Sequence, residues 1–172
     1  MTRFTVLVAA PDARSAVRSA ALHAAGTIAA ATDVDAAVEV IDLAELGPAL
    51  LAPDAGSDVR DALRRVAASD VLLVASPQAH GSYTGLLKVF VDRLPELALA
   101  HTVAVPLAVV DDLRNGRTVE EDLRLLLSDL GAWVAEPGLL LARSELAEPA
   151  EVVAAWAEVA SPALRQAFAV SV

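Results

Sequence analysis

The sequence predicts a three-layer α/β sandwich, with helices on both faces of a five-stranded parallel sheet of order 2-1-3-4-5. Three observations carry this expectation. Apolar runs bounded by turn residues alternate with helix-periodic segments along the chain. The runs VLLVA (71–75) and TVAVPLAVV (102–110) are almost continuously apolar, as in strands buried on both faces. The 172 residues leave room for five such β-α units in a single domain spanning 1–172.

Phe4–Ala10 (FTVLVAA) reads as the first strand, stopped by Pro11-Asp12. The helix-favouring stretch Ala13–Ala31 follows, with Arg14 and Arg18 one turn apart on one face. Val38–Leu43 (VEVIDL) is the second strand, and Leu46-Gly47-Pro48 and Pro53-Asp54-Ala55-Gly56 bound an irregular segment. In Asp58–Ser69, apolar residues at 59, 62, 63, 66 and 67 give a helical period. Val71–Ala75 is the third strand. Ser82 is expected to cap a helix that runs through Arg93 and is closed by Pro95. Thr102–Val110 is the fourth strand, with Pro106 expected at a bulge or strand end. An amphipathic helix at Thr118–Leu130 stops at Gly131, Leu139–Ala142 forms a short last strand, and Pro149–Val170 holds the final helix.

Composition narrows the function. Hydrophobic residues make up 56% of the chain and aromatics only 3%, so the core is built from Ala, Val and Leu, which lets helices pack close to the sheet. Thirteen basic residues against 23 acidic ones give a net charge of −10, which repels nucleic acid and anionic membrane surfaces. The longest run without a charge, Val71–Leu87, contains Pro77, Gln78, His80 and Gly81 and is no membrane span. The opening MTRFTVLVAAPDARS has too short an apolar run for a signal peptide, and a cytoplasmic protein is expected. With no cysteine there is no thiolate metal site or cysteine nucleophile, and His23, His80 and His101 are too scattered for a metal motif.

In an open sheet of this flavodoxin-like order, ligands bind beyond the strand C-termini where strand order reverses, between the first and third strands. The loops Pro11–Ser15 and Ser76–Ser82 flank that point, and Val110–Gly116 forms a third wall. Amides around Pro77–Gly81 are placed to donate to a flat heterocycle. Gly81 and Gly85 allow close approach, and the following helix adds a favourable dipole.

The stretch SPQAHGSYTGLLKVFVDRLP (76–95) resembles the flavin-binding loop and helix of NADPH-dependent FMN reductases. Their usual form is Thr/Ser-Pro-x-Tyr-x-Gly-Ser-x-x-Gly-x-Leu-Lys-x-x-hydrophobic-Asp. Ser76, Pro77, Gly81, Ser82, Gly85, Leu87, Lys88 and Asp92 stand at the matching places. Leu94-Pro95-Glu96 and Pro106-Leu107-Ala108 extend the likeness toward the reductases that supply reduced flavin to alkanesulfonate monooxygenases. The resemblance implies a flavodoxin-like NAD(P)H-dependent flavin oxidoreductase that binds FMN and NADPH. It also implies a partner monooxygenase and a homodimer or homotetramer. It directs Arg14, Ser15, Arg18 and Ser19 to the FMN phosphate. Ser76, Pro77, Gln78, Ala79, His80, Gly81 and Ser82, with Val110 and Asp111, are directed to the ring.

Three departures from the family pattern predict weaker FMN binding than in a typical member. The usual Gly-Ser-x-Arg-x-x-Ser phosphate loop is replaced by Ala10-Pro11-Asp12-Ala13-Arg14-Ser15-Ala16-Val17-Arg18-Ser19, where Pro11 lacks an amide and Asp12 repels phosphate. The register is ambiguous by one residue, so either arginine takes the family's role. Ala79 stands where the family has tyrosine, and Val110-Asp111-Asp112 replaces a Gly-Gly. His80 is a candidate contact for the ring edge or nicotinamide, set against an ordinary surface histidine. Lys88 and Asp92, four apart, read as an ion pair, and Asp111-Asp112 as solvated loop carboxylates. There is no Gly-x-Ser-x-Gly elbow and no Walker-type loop. No side chain is required as acid or base, because the flavin carries the chemistry. The competing reading is a flavodoxin-like module that has lost the cofactor and acts through protein contacts.

Overall fold

The structure, a computed structural model, describes residues 1–170. One parallel sheet runs in the order β2-β1-β3-β4-β5, with β6 also pairing β4. The strands are β1 (Thr2–Val8), β2 (Ala36–Asp42), β3 (Val71–Pro77), β4 (Val103–Val110), β5 (Trp133–Val134) and β6 (Leu139–Ala142). The helices are α1 (Ala16–Thr32), α2 (Leu43–Leu46), α3 (Ser57–Ala67), α4 (Gly85–Val91), α5 (Arg117–Asp129) and α6 (Ala150–Val170). The expected 2-1-3-4-5 order is therefore present, with the fifth position divided between two short strands.

That division explains Pro106, which lies inside β4 opposite Val74 of β3 and not at a bulge or strand end. Along β4, odd-numbered backbone groups face β3: the Val103 amide donates to Asp70 and the Val109 carbonyl accepts from Gln78. Even-numbered groups face the other side, where the Ala104 carbonyl accepts from the Ala135 amide. β5 pairs with Val103–Ala104 and β6 with Leu107–Val110, so position 106 falls in the gap between them. A proline there removes a donor that neither strand would have received. The two-residue β5 was not anticipated, because WV between Ala132 and Ala135 is too short to show a period.

The pleat divides the core between two faces. Phe4, Val6, Val8, Leu73, Ala75, Val105 and Leu107 meet α1 and α6 on one side. Leu7, Ala9, Leu72, Val74, Ala104 and Ala108 meet α2, α3, α4 and α5 on the other. The buried stripe of α1 is mainly Ala20, Ala21, Ala24 and Ala25, which brings its backbone close to the sheet. α4 was expected to start from a Ser82 cap and extend to Arg93. It is capped instead by Thr84, whose hydroxyl accepts from the Leu87 amide at 3.3 Å, and its regular part ends at Val91. Ser82 is committed elsewhere, as described below.

Register brings the strand ends level. Val8 stands opposite both Asp42 and Ala75, and Pro77 opposite Val109. The loops after β1, β2, β3 and β4 consequently emerge at one edge of the sheet. No described helix is long and apolar enough to cross a membrane.

Candidate functional site

The loop after β3 is a stapled hairpin. Ala79 and Ser82 exchange backbone hydrogen bonds of 2.8 and 3.2 Å. The two residues between them, His80 (φ 49) and Gly81 (φ 89), both lie in the left-handed region. This is the type I′ arrangement, in which glycine suits the second central position. A Cβ built on Gly81 would meet nothing within 4 Å, and the same holds at Gly85, so both glycines border open space.

Several neighbouring bonds fix the hairpin to the sheet edge. The Gln78 amide donates to the Val109 carbonyl at 2.7 Å. Buried Ser76 accepts the Thr84 amide on its hydroxyl at 3.0 Å, and the Thr84 hydroxyl donates to the Ala9 carbonyl at 2.8 Å. Thr84 thereby ties the end of β1 to the start of α4. The Ser82 hydroxyl donates to Asp122 of α5 at 2.5 Å. Four loop amides, those of Gln78, Ala79, Ser82 and Thr84, are thus used internally. Among the described residues, the amides of His80, Gly81 and Tyr83 have no protein partner. The donors available to a ligand are shifted to the hairpin tip relative to the expected Pro77–Gly81 run.

The loop after β1 carries the charge. Ser15 caps α1, accepting the Arg18 amide at 3.4 Å, and Arg14 adopts φ 56 with its amide donating to Asp42 Oδ2 at 3.0 Å. Asp42 is the last residue of β2 and its side chain is fully buried. The Arg18 guanidinium lies 3.6 Å from Asp42 Oδ2 and 3.1 Å from Glu45 Oε1. Arg14 Nε lies 3.7 Å from that same Glu45 oxygen. Ser19 is exposed one turn into α1, and Asp12 is exposed at the loop tip. Asp42 and Glu45 went unremarked in the sequence, because they lie at the junction of β2 and α2, outside the loops that strand order marks. The one available signal was an acidic pair, Asp42 and Glu45, at the end of the second strand and in the turn that follows it.

The third wall is made differently from what its residues suggested. Val110 is fully buried and faces Gly116, where an added Cβ would sit 3.0 Å from a Val110 methyl. Its side chain therefore enters the α5 side of the core, and only its main chain borders the crevice. Asp111 pairs with Arg143 Nε at 2.7 Å, and Asp112 accepts the Arg114 amide at 2.9 Å. Pro77 is buried, while Gln78 and Ala79 are half-buried behind the exposed His80-Gly81 tip.

The remaining candidates do not gather into another centre. Lys88 of α4 is in direct contact with Asp92, the residue that caps the helix, and that carboxylate holds the Lys88 proton more tightly than usual. Among the described residues no cluster of three or more His, Asp or Glu side chains is placed to hold a metal ion. A cavity of about 630 Å³ between β2 and α3 is lined by Asp42, Glu45, Arg60 and Arg65, and by none of the hairpin residues. The crevice itself combines unpaired amides, open space beside two glycines and two arginines at a helix start. These are donors suited to the carbonyls of a flavin ring and to its phosphate.

The chain is similar to several known flavin reductases and oxidoreductases. A curated FMN reductase (NADPH) of Pseudomonas putida is 35% identical over 98 residues, covering 54% of this chain and 50% of the relative. The NADH-dependent FMN reductase SfnE of Pseudomonas putida is 31% identical over 103 residues, covering 60% of this chain and 55% of the relative. The chain thus spans about half the length of the curated relatives it matches. Among solved structures, an oxidoreductase from Corynebacterium diphtheriae has a TM-score of 0.79 at 29% identity, covering 91% of this chain and 93% of that one. An apo NADH:FMN oxidoreductase has a TM-score of 0.77 at 24% identity, covering 94% and 91%, and so shares the fold. A family model described as NADPH-dependent FMN reductase matches residues 2–145, the whole of the sheet and every loop of the crevice, and the chain belongs to that family.

Proposed function

We propose that this protein is an NAD(P)H-dependent FMN reductase, passing hydride from a pyridine nucleotide to FMN and electrons onward to a partner oxygenase or another acceptor. The observation that carries the reading is the hairpin at 79–82, with its unpaired tip amides beside open space at Gly81 and Gly85. When bound, FMN supplies the hydride-accepting ring, and this chain supplies orientation. The amides of His80, Gly81 and Tyr83 hold ring oxygens and nitrogens. Thr84 ties the far end of the hairpin to the end of β1 through the Ala9 carbonyl, and Ser76 ties it to β3 by accepting the Thr84 amide. Arg14, Ser15, Arg18 and Ser19, with the free amides at the start of α1, attend the phosphate. Asp111 and the main chain of Val110 close the far side.

No acid or base is assigned, because hydride transfer between stacked rings needs none. His80 is placed at the open tip, where the nicotinamide would approach. We further propose a homodimer or homotetramer, supported by exposed Leu125 in a groove of about 540 Å³ between α4 and α5. The cytoplasm, where free flavin and pyridine nucleotide meet, is the proposed compartment. A flavin-free module acting through protein contacts is not favoured, since the unpaired amides and the family membership both point to flavin.

The test is direct. FMN is titrated into the purified protein with flavin fluorescence as readout, and NADPH and NADH oxidation is followed with FMN present. Saturable quenching with nucleotide oxidation is expected. Quenching without oxidation would leave only an electron carrier, and no quenching at high FMN would remove the assignment.

A further inference from the structure

Resting on that reading, we infer that Glu45 sets the flavin specificity of this chain. By engaging the phosphate-directed arginines it lowers the advantage of FMN over riboflavin, so that the phosphate-free flavin is bound almost as well.

Glu45 Oε1 alone meets both guanidiniums, at 3.1 Å from Arg18 and 3.7 Å from Arg14. Asp42 strengthens the hold. Its fully buried carboxylate lies 3.6 Å from Arg18 and takes the Arg14 amide at 3.0 Å. That amide is one of the loop donors an anion would otherwise use. Pro11 brings no amide at all, and Asp12 adds a third carboxylate to the same loop. Two cations are therefore set against three anions where the dianionic end of FMN would lie. The ring end is treated differently, because its tip amides are unpaired.

The two ends make separable contributions. An uncommitted guanidinium bonded to a phosphate would favour FMN over riboflavin by roughly 10- to 150-fold. Here each such bond must displace a carboxylate already in place, and Asp12 repels the incoming charge. What remains is a preference of less than about tenfold. Arg18 is the arginine that matters more, since its side chain is 27% exposed and held between two carboxylates, whereas that of Arg14 is 84% exposed.

The experiment compares FMN and riboflavin Kd values, read by fluorescence quenching, for wild type, Glu45→Gln, Arg18→Gln and the double variant. Glu45 is half-exposed, so its amide isostere leaves the core untouched. Wild type is expected to bind the two flavins within about tenfold of each other. Glu45→Gln is expected to tighten FMN about two- to fivefold, the worth of a half-exposed ion pair, and to leave riboflavin unchanged. In the Arg18→Gln background the Glu45 substitution is expected to lose most of its effect on FMN. A wild-type preference for FMN beyond about 100-fold would overturn the inference while keeping the reductase reading. So would a Glu45→Gln variant that leaves FMN unchanged or shifts both flavins equally. Failure of wild type to bind either flavin would instead remove the reductase reading and this inference with it.

Discussion

Replacing Thr84 with valine tests whether the two walls of the crevice are held together by one hydroxyl. The side chain is 7% exposed, and its Oγ1 donates to the Ala9 carbonyl while accepting the Leu87 amide. Valine keeps the shape and removes both bonds. Loss of a threonine cap costs about 1 kcal/mol. The Ala9 carbonyl, on a fully buried residue, is left without this partner, at a cost of about 1–3 kcal/mol. Because one hydroxyl makes both bonds, the two terms overlap, and the expected loss is about 2–3 kcal/mol. For a chain of this length that lowers Tm by roughly 4–12 °C. Urea unfolding without flavin measures it, with Thr84→Ser as control, since serine retains the hydroxyl and should lose much less. A Thr84→Val variant within about 0.5 kcal/mol of wild type at an unchanged m-value would refute the reasoning.

Other perturbations probe separate parts of the structure. Gly81→Ala places a side chain at φ 89 with nothing within 4 Å, so only backbone strain opposes it; a loss of about 1–2 kcal/mol is expected by urea unfolding. His80→Asn supplies the residue that type I′ turns favour beside glycine and should leave stability equal or slightly higher; a large rise in KM for nucleotide alone would assign His80 to the nicotinamide. Gly138→Ala puts a Cβ 2.7 Å from both Pro106 Cγ and Glu120 Oε1, and overpacking of about 1–3 kcal/mol is expected in the same assay. The Asp70 carboxyl is held below its ordinary range, first by the Arg3 side-chain bond at 3.2 Å, so its contribution is present above the unfolded carboxylate value of about 3.9 and fades as pH falls through the lower folded value. Asp70→Asn should therefore flatten the acid limb of the stability profile measured by denaturation at successive pH values. Its effect at neutral pH is expected to be small, because the pair is exposed.

Strand order was legible because burial on both faces writes itself into the chain as unbroken apolar runs, and Val71–Ala75 and Val103–Val110 are buried at every position. The misreadings fall where a local signal competes with a tertiary one. Ser82 and Thr84 are both favoured cap residues, serine slightly the better by type, but Asp122, forty residues downstream, takes the serine hydroxyl and leaves the cap to Thr84. Pro106 looked like an interruption of β4, yet its tolerance comes from a gap between two neighbours, and no pattern within β4 encodes that gap. Val110, at the end of β4, was read as part of the third wall of the crevice, in place of a glycine. Its parity along β4 sends the side chain into the core on the α5 side.

The loops of the proposed site differ in the same way. The ring end is encoded locally: His80-Gly81 demands a tight turn, and the turn itself decides which amides are left over. A single stretch of chain is therefore enough to encode the proposed ring-binding turn. The phosphate end is assembled from two strands. Arg14 and Arg18 are visible in sequence as a basic helix face, but what they can do depends on the residues that β2 delivers beside them. Parallel pairing of Val8 with Asp42 sets that delivery, bringing a buried carboxylate and, one turn later, Glu45 against the start of α1. A guanidinium so placed contributes the difference between two bonds when it meets a phosphate, and not the whole of one. Charge counted along a single helix consequently overstates the grip of this loop on an anion, and pairing across β1 and β2 is what corrects it.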